Sequence, residues 1–386
     1  MGERKKKKIA VIIPKYGLVG GAEGFACEVT EKLAAREDLD IHVFANQWRP
    51  GASVVKCHKV PVLPFPRFLK PLSFAYFSNK AVSKQSFDLI HSHDRIFRMD
   101  IMTMHGVPHR TWVRQVRRKV PNLFDLSLSW LEEKTLKGPG CPLVLPVSEL
   151  VKDELLKRFH IPSSKIQVIH PGVSRGRFER LDKEMCRAHI CRRHGFSTGA
   201  LVLLFVSMNF ELKRLDLVLR AMGALRQEKK EGSENLVLLV VGKGNVGRYR
   251  QMARELGLEN RTAFAGVTRE IEQYYLACDI FLMPSRFDTF GMAVLEAMMA
   301  GVPVIITKRV GAKDLIRSGV QGFILEGDPT VPEMASKLSH LMDRDTRRRM
   351  GAEARKVAAR HNWDRVAEEI LGQYDKRLAS GFGHGA

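Results

Sequence analysis

The feature that most constrains the fold is the alternation of short apolar runs with longer amphipathic stretches. Two runs, LVLLFV at 201–206 and LVLLVV at 236–241, are apolar at every position. Runs of this length are typical of strands buried on both faces, and they are far shorter than the ~20 residues that cross a bilayer. Strands that alternate with helices form βαβ units around a parallel sheet. The chain is therefore predicted to have an α/β fold.

The alternation occurs twice along the chain. The first half predicts strands at 9–14, 41–46, 87–93, 100–106 and 142–148, with a glycine loop at 17–24 that enters a helix. The second half predicts strands at 200–208, 235–242, 261–266, 279–284 and 303–307. A chain of 386 residues is also too long for one ordinary core. Two doubly wound Rossmann-like domains that face a cleft are the expected architecture.

The domain boundaries follow from the composition between these two halves. PGVSRGRFERLDKE, at 171–184, is polar and contains glycine, as expected of a linker. We predict an N-terminal domain at 1–170, which would bind the acceptor, and a C-terminal donor domain at 171–362. A C-terminal helix at 363–380 is expected to pack back on the N-terminal domain, and the tail at 381–386 is expected to be disordered.

Positive charge is concentrated in one part of the first half. The chain has a formal net charge of +21, and residues 56–119 contain 13 Lys and Arg against 3 Asp and Glu. Such a segment attracts anionic lipid, nucleic acid or a phosphorylated substrate, and it is equally consistent with an ordinary basic surface. No aromatic stacking cluster or zinc-finger spacing accompanies it, so nucleic acid is not an expected partner.

The cysteines do not indicate a metal or a disulfide framework. Six cysteines at irregular spacing predict free thiols. The most suggestive group is Cys186, His189, Cys191 and His194. On a helix these side chains point in four different directions, so they would not converge on one zinc ion.

The stretch from Pro284 to Pro303 contains the residues most suited to binding chemistry. Gly291 lies between a predicted strand and a predicted helix, where backbone N–H groups and the helix dipole favour a phosphate. Glu296, inside the helix, could accept hydrogen bonds from ribose hydroxyls, and Asp288 could bind the hydroxyls of a sugar. The alternative interpretation is that Asp288 only caps the helix and Glu296 is solvated.

PSRFDTFGMAVLEAMMAGVPVI, at 284–305, resembles the donor-site motif of the retaining glycosyltransferase family 4, which has the GT-B fold. The resemblance continues in order through VSELVKDELLKRF, KIQVIHPGVS, VVGKGN and the WDRVAEEI stretch, to about Tyr374. Three positions depart from the family pattern. Asp288 replaces the usual glutamate, Met208 occupies the position of an arginine that binds the donor diphosphate, and Arg214 replaces the glycine after the lysine. Whether Arg214 takes over the role of the missing arginine is left open by the sequence.

The resemblance implies roles for individual residues. Asp288, Lys213 and His105 are expected to be catalytic, with Lys213 on the diphosphate and His105 facing the donor sugar. Asp100 is expected to orient the acceptor. The implied donor-binding residues are Gly20, Gly21, Asn209, Arg214, Gly242, Ser285, Thr289, Phe290, Gly291, Met292 and Glu296. The resemblance implies retention of anomeric configuration without a metal cofactor, because fixed cations stabilise the departing diphosphate. We expect a monomer.

NFELK at 209–213 and PKYGLVGGAE at 14–23 are similar to the glucosyltransferases that add glucose to a heptose of the lipopolysaccharide inner core. This similarity implies UDP-glucose as donor and a lipid-linked oligosaccharide as acceptor. The enzyme would be cytoplasmic and peripherally bound to the anionic inner face of the plasma membrane, through the segment 56–119 with its Trp112. The alternatives are another donor in cell-surface polysaccharide synthesis (UDP-galactose, UDP-GlcNAc or GDP-mannose), a GT-B sugar-nucleotide epimerase, and a non-catalytic basic binding protein.

Overall fold

The computed structural model describes residues 6–18, 20–49, 55–138 and 140–379. The chain divides into two compact units. One contains the residues up to Gly172 together with those from Trp363 onward, and the other is Val173–Asn362. The tail at 381–386, predicted to be disordered, lies outside the described residues.

The first unit is built on a six-stranded parallel sheet. The strands of the unit, including two outside this sheet, are β1 (Lys7–Ile12), β2 (Lys15–Tyr16), β3 (Leu39–Ala45), β4 (Gln47–Trp48), β5 (Lys56–Lys59), β6 (Leu89–Ser92), β7 (Ile101–Met104) and β8 (Leu143–Pro146). Its helices are α1 (Gly21–Ala34), α2 (Leu69–Val82), α3 (His109–Thr111), α4 (Leu123–Leu136) and α5 (Glu149–Arg158). The sheet order is β5-β3-β1-β6-β7-β8, and β2 pairs with β4 separately.

The second unit repeats this plan. Its strands are β9 (Leu201–Ser207), β10 (Leu236–Gly242), β11 (Thr262–Gly266), β12 (Ile280–Met283), β13 (Val304–Thr307) and β14 (Gly322–Leu325). Its helices are α6 (Gly176–Glu179), α7 (Lys183–Arg193), α8 (Leu215–Gln227), α9 (Val246–Glu255), α10 (Ile271–Ala277), α11 (Met292–Met299), α12 (Val331–His340) and α13 (Arg344–Arg360). The parallel sheet has the order β11-β10-β9-β12-β13-β14.

Both sheets have the doubly wound strand order 3-2-1-4-5-6. The prediction of two Rossmann-like domains is therefore confirmed. The order reverses between β1 and β6 in the first unit and between β9 and β12 in the second. In such sheets ligands bind beyond the carboxyl ends of the strands at the reversal. The topology thus predicts a ligand-binding site at the carboxyl edge of each sheet.

Burial of the central strands explains why the apolar runs are so regular. Within β9 and β10, every residue except Val206 is buried. Helix α8 places Leu215, Val218 and Met222 against this sheet, while its polar residues face outward. A strand covered by helices on both faces needs apolar side chains at consecutive positions, which is the pattern in the sequence.

A last helix, α14 (Trp363–Ala379), packs on the first unit. The ring of Trp363 meets Phe25 of α1 edge-on, with ring centroids 5.5 Å apart. The hydroxyl of Tyr374 lies 2.7 Å from Nδ1 of His91, at a buried position on β6. The helix therefore contributes both apolar and polar contacts to the first core.

The fold differs from the sequence-based predictions in four strands and in one linker. The strands β5 and β14 were not predicted, because β5 (KCHK) is a polar edge strand and β14 (GFIL) is only four residues long. The two-residue strands β2 and β4 were not predicted either. The stretch 171–184 was predicted as a linker, but it contains α6 and the start of α7. Asp182 caps α7 by accepting a hydrogen bond from the backbone N–H of Met185, at 2.8 Å, so a polar composition here indicates a helix start.

Candidate functional site

The carboxyl ends of β9 and β12 carry most of the predicted donor-binding residues. A turn at 208–214 follows β9, and a loop at 284–291 follows β12 and leads into α11. These strands are neighbours at the point where the strand order reverses. The segments that follow them are tied together, since the N–H of Arg286 donates to the carbonyl of Leu212 at 2.9 Å.

An ion pair between Lys213 and Asp288 lies at the centre of this edge. The ammonium of Lys213 contacts Oδ2 of Asp288 and also donates to the carbonyl of Phe287, at 3.2 Å. The two side chains are only 14% and 22% exposed, so the pair is shielded from water on most sides. The sequence predicted separate roles for these residues, and the structure brings them into direct contact.

The backbone around Asp288 is fixed on both sides. Its N–H donates to the carbonyl of Arg309 at 2.9 Å, and its carbonyl accepts from Gly311 at 3.0 Å. Its Oδ1 accepts a hydrogen bond from the N–H of Phe290 at 3.2 Å. Asp288 therefore shapes the turn before α11 and pairs with Lys213 at the same time. It does not cap the helix, because the N-cap position is Gly291, so the alternative capping interpretation is wrong.

Ser285 and Phe290, predicted to bind the donor, are buried and support the loop. The hydroxyl of Ser285 is fully buried, donates to the carbonyl of Phe287 at 2.8 Å and accepts from its N–H at 3.1 Å. Phe290 is 3% exposed. Thr289 and Met292, on either side, are partly exposed. Of the residues here that were predicted to contact the donor, Asp288, Thr289 and Met292 are therefore accessible to a ligand.

Gly291 occupies a position that only glycine fits. It precedes α11 with a φ of 92°, in the left-handed region. A Cβ atom there would lie 2.7 Å from Cε of Met283 and 2.9 Å from Cγ1 of Val310. The glycine therefore sets the tight turn from the loop into the helix.

Glu296 lies within α11 and is held by residues that the sequence analysis missed. Its Oε2 accepts a hydrogen bond from the hydroxyl of Tyr275 at 2.8 Å, and Nη1 of Arg177 lies 3.9 Å from its Oε1. Burial raises the pKa of the Glu296 carboxyl above its ordinary value. Tyr275 comes from α10 and Arg177 from α6, and no spacing rule connects either residue to the motif at 284–303.

The turn after β9 holds the remaining predicted residues. Oδ1 of Asn209 accepts from the N–H of Leu212 at 3.0 Å and thereby shapes the turn. Met208 is 64% exposed. Gly242, at the end of β10, has no space for a Cβ atom, which would lie 1.8 Å from the carbonyl oxygen of Ser207.

Arg214 is engaged by two carboxylates. Its Nε lies 3.2 Å from both oxygens of Asp216, and its Nη1 lies 2.8 Å from Oδ1 of Asp328. Two of its three nitrogens are thus occupied by acceptors other than Asp288. Lys213 and Arg214, although adjacent in sequence, have separate sets of partners.

A second candidate site is a cavity of about 290 Å³ in the first unit, at the carboxyl ends of β1, β6 and β7. His105 lies here, with its Nε2 3.0 Å from Nδ1 of His93. Burial lowers the pKa of both imidazoles, that of His105 to about 3, so both are neutral near pH 7. His93 was not singled out from the sequence. Its position at the end of the strand next to β7 is the signal that would have identified it.

The glycine loop ends at the same cavity. Helix α1 begins at Gly21, after Gly20. A Cβ atom on Gly20 would lie 2.0 Å from Oε2 of Glu23, so the Glu23 carboxylate lies against the start of the helix. Glu23 also lines the cavity, and the sequence analysis missed it.

Asp100 lies at the other edge of the first sheet. It precedes β7, and its Oδ2 accepts a hydrogen bond from the N–H of Ile90 at 2.8 Å. Asp100 is buried and joins the amino ends of neighbouring strands. Ligands of doubly wound sheets bind at the carboxyl edge, where His105 lies, so the position of Asp100 does not support the predicted acceptor role.

Within the described residues, no group of three or more His, Cys, Asp and Glu side chains is arranged to hold a metal ion. The six cysteines are free thiols. No helix in the described ranges combines the length and the apolar character needed to cross a bilayer.

Comparison with known proteins decides the family. The model for glycosyltransferase family 4 matches residues 19–177, and the model for glycosyl transferases group 1 matches residues 187–357. A D-inositol 3-phosphate glycosyltransferase of Thermobispora bispora is 32% identical over 401 residues, which cover 95% of this chain and 92% of the relative. The chain belongs to glycosyltransferase family 4.

Solved structures agree on the GT-B fold. WaaG, a glycosyltransferase involved in lipopolysaccharide biosynthesis, has a TM-score of 0.79 at 17% identity, covering 95% of this chain and 99% of WaaG. Anabaena HepE, solved in complex with UDP-glucose, has a TM-score of 0.73 at 18% identity, covering 96% and 99% of the two chains. In this glycosyltransferase, Lys213, Asp288 and Glu296 fall in the group 1 match, and His105 falls in the family 4 match.

Proposed function

We propose that this family 4 enzyme transfers glucose from UDP-glucose, with retention of configuration, to a heptose of the lipopolysaccharide inner core at the cytoplasmic face of the membrane. The observation that carries the proposal is the shielded pair of Lys213 and Asp288 at the carboxyl edge of the second sheet. A partly buried cation beside a ligand-binding edge suits a diphosphate, and a partly buried carboxylate suits sugar hydroxyls.

Donor binding would exchange the partners of this pair. In the structure, Lys213 and Asp288 neutralise each other's charge. A diphosphate brings charge that competes for Lys213, while the hydroxyls of the sugar donate to Asp288. Glu296, anchored by Tyr275, would accept from the ribose hydroxyls. In this account the pair keeps both side chains in place until the donor arrives, which lowers the cost of reorganisation.

The proposed chemistry needs no protein nucleophile. The acceptor hydroxyl oxygen forms a bond to C1 of glucose on the face from which the diphosphate departs. The C1–oxygen bond breaks with its electron pair going to UDP, and the proton of the acceptor passes to the leaving diphosphate. Lys213 stabilises the charge that develops there, a role that does not call for a metal ion. His105, as a neutral imidazole, would bind a sugar hydroxyl.

The acceptor region of the proposal draws on a cavity of about 350 Å³ in the first unit. Lys15, Arg67 and Lys70 line it together with apolar side chains that include Phe74 and Leu128. Cations beside apolar surface suit a phosphorylated acceptor that has a hydrocarbon or carbohydrate body.

The membrane part of the proposal depends on helix α4. Leu123, Leu126 and Trp130 lie on one face of this helix and are 67%, 54% and 48% exposed. Phe65, which is 86% exposed, lies within the strongly basic segment 56–119 that precedes α4. An exposed apolar stripe beside positive charge is the pattern of a surface that docks on anionic lipid.

A second candidate acceptor is a small phosphorylated cyclitol. The relative from Thermobispora bispora is named a D-inositol 3-phosphate glycosyltransferase, and it covers nearly the whole chain. Lys15, Arg67 and Lys70 could hold an inositol phosphate as readily as a phosphorylated heptose. Under this alternative the donor chemistry is unchanged, and only the acceptor differs.

A transfer assay tests the proposal. The enzyme is incubated with radiolabelled UDP-glucose, UDP-galactose, UDP-GlcNAc or GDP-mannose and with either a heptose-terminated lipopolysaccharide core or inositol phosphate. We expect glucose to appear on the heptose acceptor. Transfer to inositol phosphate alone would establish the second candidate, and transfer from a different donor would contradict the choice of UDP-glucose.

A further inference from the structure

A cavity of about 550 Å³ opens at the amino edge of the second sheet. It is lined by the segments that lead into β9, β12 and β13 and by the first turns of α7 and α13. Strand β9 runs from Leu201, which lines this cavity, to Ser207, beside the turn that carries Lys213. At a rise of about 3.3 Å per residue, the two ends are roughly 20 Å apart. The cavity is therefore separate from the candidate donor site.

The lining of the cavity is strongly cationic. Five cations face a single carboxylate, that of Asp279, and these cations are Lys183, Arg187, Arg344, Arg347 and Arg348. Like charges on one concave surface repel each other, and partial burial strengthens the repulsion. Burial lowers the pKa of Arg347, and the charges of Arg187 and Arg344 add to this effect, while Asp279 and Asp343 oppose it.

Two of the five cations are occupied by the protein. Nη1 of Arg187 lies 3.0 Å from Asp279 and also donates to the carbonyl of Ala277 at 3.0 Å. Nη1 of Arg347 donates to the carbonyls of Leu341 and Met342, at 2.9 and 2.6 Å. These contacts fix the two guanidinium groups as the inner part of the cavity wall.

The other three cations are available to a ligand. Within the described part of the chain, Lys183, Arg344 and Arg348 make no hydrogen bond and no ion pair, and all three are exposed. Lys183 begins α7 and Arg344 begins α13, while Arg348 lies one turn further along α13. Two separate helices thus present unpaired cations to one cavity.

The shape and chemistry of the lining define the class of ligand. Apart from the charged residues, the cavity is lined by small or aliphatic side chains and Cys278, with no aromatic ring on which a nucleobase could stack. The helix starts contribute little, because Asp182 and Asp343 already accept hydrogen bonds from the N–H groups of Met185 and Thr346, both at 2.8 Å. Recognition would therefore rely on the cationic side chains.

We propose that this cavity binds a compact anion with two or more phosphate groups, held by Lys183, Arg344 and Arg348 over a wall formed by Arg187 and Arg347. Several cations at different angles match the several oxygens of a diphosphate or triphosphate. The bound anion relieves the repulsion among the five cations, so it also stabilises the second unit against unfolding.

The test is calorimetric titration with sodium pyrophosphate at physiological ionic strength. It is carried out on Lys213→Ala, which removes the proposed diphosphate ligand of the donor site. We expect one saturable site, and orthophosphate should bind about tenfold more weakly. In the Lys213→Ala background, Arg344→Glu and Arg348→Glu together should weaken pyrophosphate binding by about tenfold or more, since each substitution removes a charge-assisted contact. Arg349→Glu is the matched control, because this neighbour on α13 does not line the cavity.

Three results would overturn the proposal. One is the absence of saturable pyrophosphate binding to Lys213→Ala, whether or not the protein with Lys213 intact binds pyrophosphate in competition with UDP. Another is an equal loss of pyrophosphate affinity in Arg349→Glu, which would indicate that binding depends on the overall positive charge of α13 and not on the cavity. In the last, the protein binds vesicles that contain a bisphosphorylated phosphoinositide but does not bind pyrophosphate. This result would indicate that the ligand is a lipid headgroup and not a free anion. Lys183→Gln provides a milder second variant, and thermal melting checks that each variant is folded.

Discussion

At the scale of single residues, the contact between Lys213 and Asp288 is the main feature of the candidate donor site. Aspartate is one methylene shorter than the glutamate expected from the family resemblance, yet the loop brings its carboxylate into contact with the ammonium. The neighbouring Arg214 is held by Asp216 and Asp328. Within the described residues, Asp288 is therefore the only carboxylate partner of Lys213 at this edge.

The first prediction concerns Lys213. We expect Lys213→Ala to lower kcat/KM for UDP-glucose by about 10²- to 10³-fold, because the departing diphosphate loses a fixed positive charge. Steady-state kinetics measure the effect, and thermal melting monitors folding. Lys356→Ala is the matched control, since it also removes a lysine from a carboxylate pair, with Glu353 on the exposed face of α13. Equal activity of the two variants would show that Lys213 does not act on the donor.

Sequence patterns indicated which residues follow the strands, but not which partners they have. Lys213 and Asp288 are 75 positions apart, and their contact depends on how two loops fold against each other. The same limit applies to Ser285, which the motif suggested as a ligand and the structure buries. Strand ends can be predicted from apolar periodicity, whereas loop packing depends on contacts that the periodicity does not encode.

At the scale of secondary-structure elements, three histidines join β6, β7 and α14. His91 lies 2.7 Å from the hydroxyl of Tyr374 and 2.8 Å from that of Thr103, and His93 pairs with His105. The apolar residues of these stretches predicted β6 and β7, and the structure buries every residue of both strands. The connection to α14 could not be predicted, because it joins residues 283 positions apart.

This cluster predicts a pH dependence of stability. Burial lowers the pKa of His91 and His105 to about 3, whereas the unfolded chain takes up these protons near pH 6.5. Between these two pH values the unfolded state binds more protons, so the free energy of unfolding falls as the pH decreases, by about 1.4 kcal/mol per pH unit for each histidine. Urea unfolding at pH 7 and pH 5 measures the slope.

Removing one histidine should flatten that slope. We expect His105→Asn to show a smaller loss of stability between pH 7 and pH 5 than the natural chain. His189→Asn, at an exposed position on α7, should leave the slope unchanged. Identical slopes for His105→Asn and the natural chain would contradict the account of the buried histidines.

Helix α4 makes the proposed membrane contact testable. We expect Leu126→Ser with Trp130→Ser to lower the affinity for anionic vesicles by about tenfold or more, because each change removes apolar surface that would enter the interface. Leu156→Ser is the control, since Leu156 is 39% exposed on α5 and is not part of the apolar stripe on α4. Vesicle co-sedimentation measures binding, which should weaken as salt is added. An equal effect of Leu156→Ser would contradict a docking role for α4.

At the scale of the whole molecule, the chain contains one topology twice and uses the two copies differently. The first unit carries the neutral histidine pair and the basic segment with its exposed apolar stripe. The second carries an ion pair at one edge of its sheet and a cationic cavity at the other. The repeated fold was predictable because buried parallel strands require long apolar runs. The different chemistry of the two copies depends on residues outside those runs.

The anomeric configuration of the product tests the central claim most directly. NMR spectroscopy of the glucoside formed from UDP-glucose reports this configuration and the identity of the released nucleotide together. Transfer with retention predicts an α-glucoside and UDP in equal amounts, and the yield should be much reduced in Lys213→Ala. A β-glucoside, or no transfer of glucose to any phosphorylated acceptor, would contradict the account.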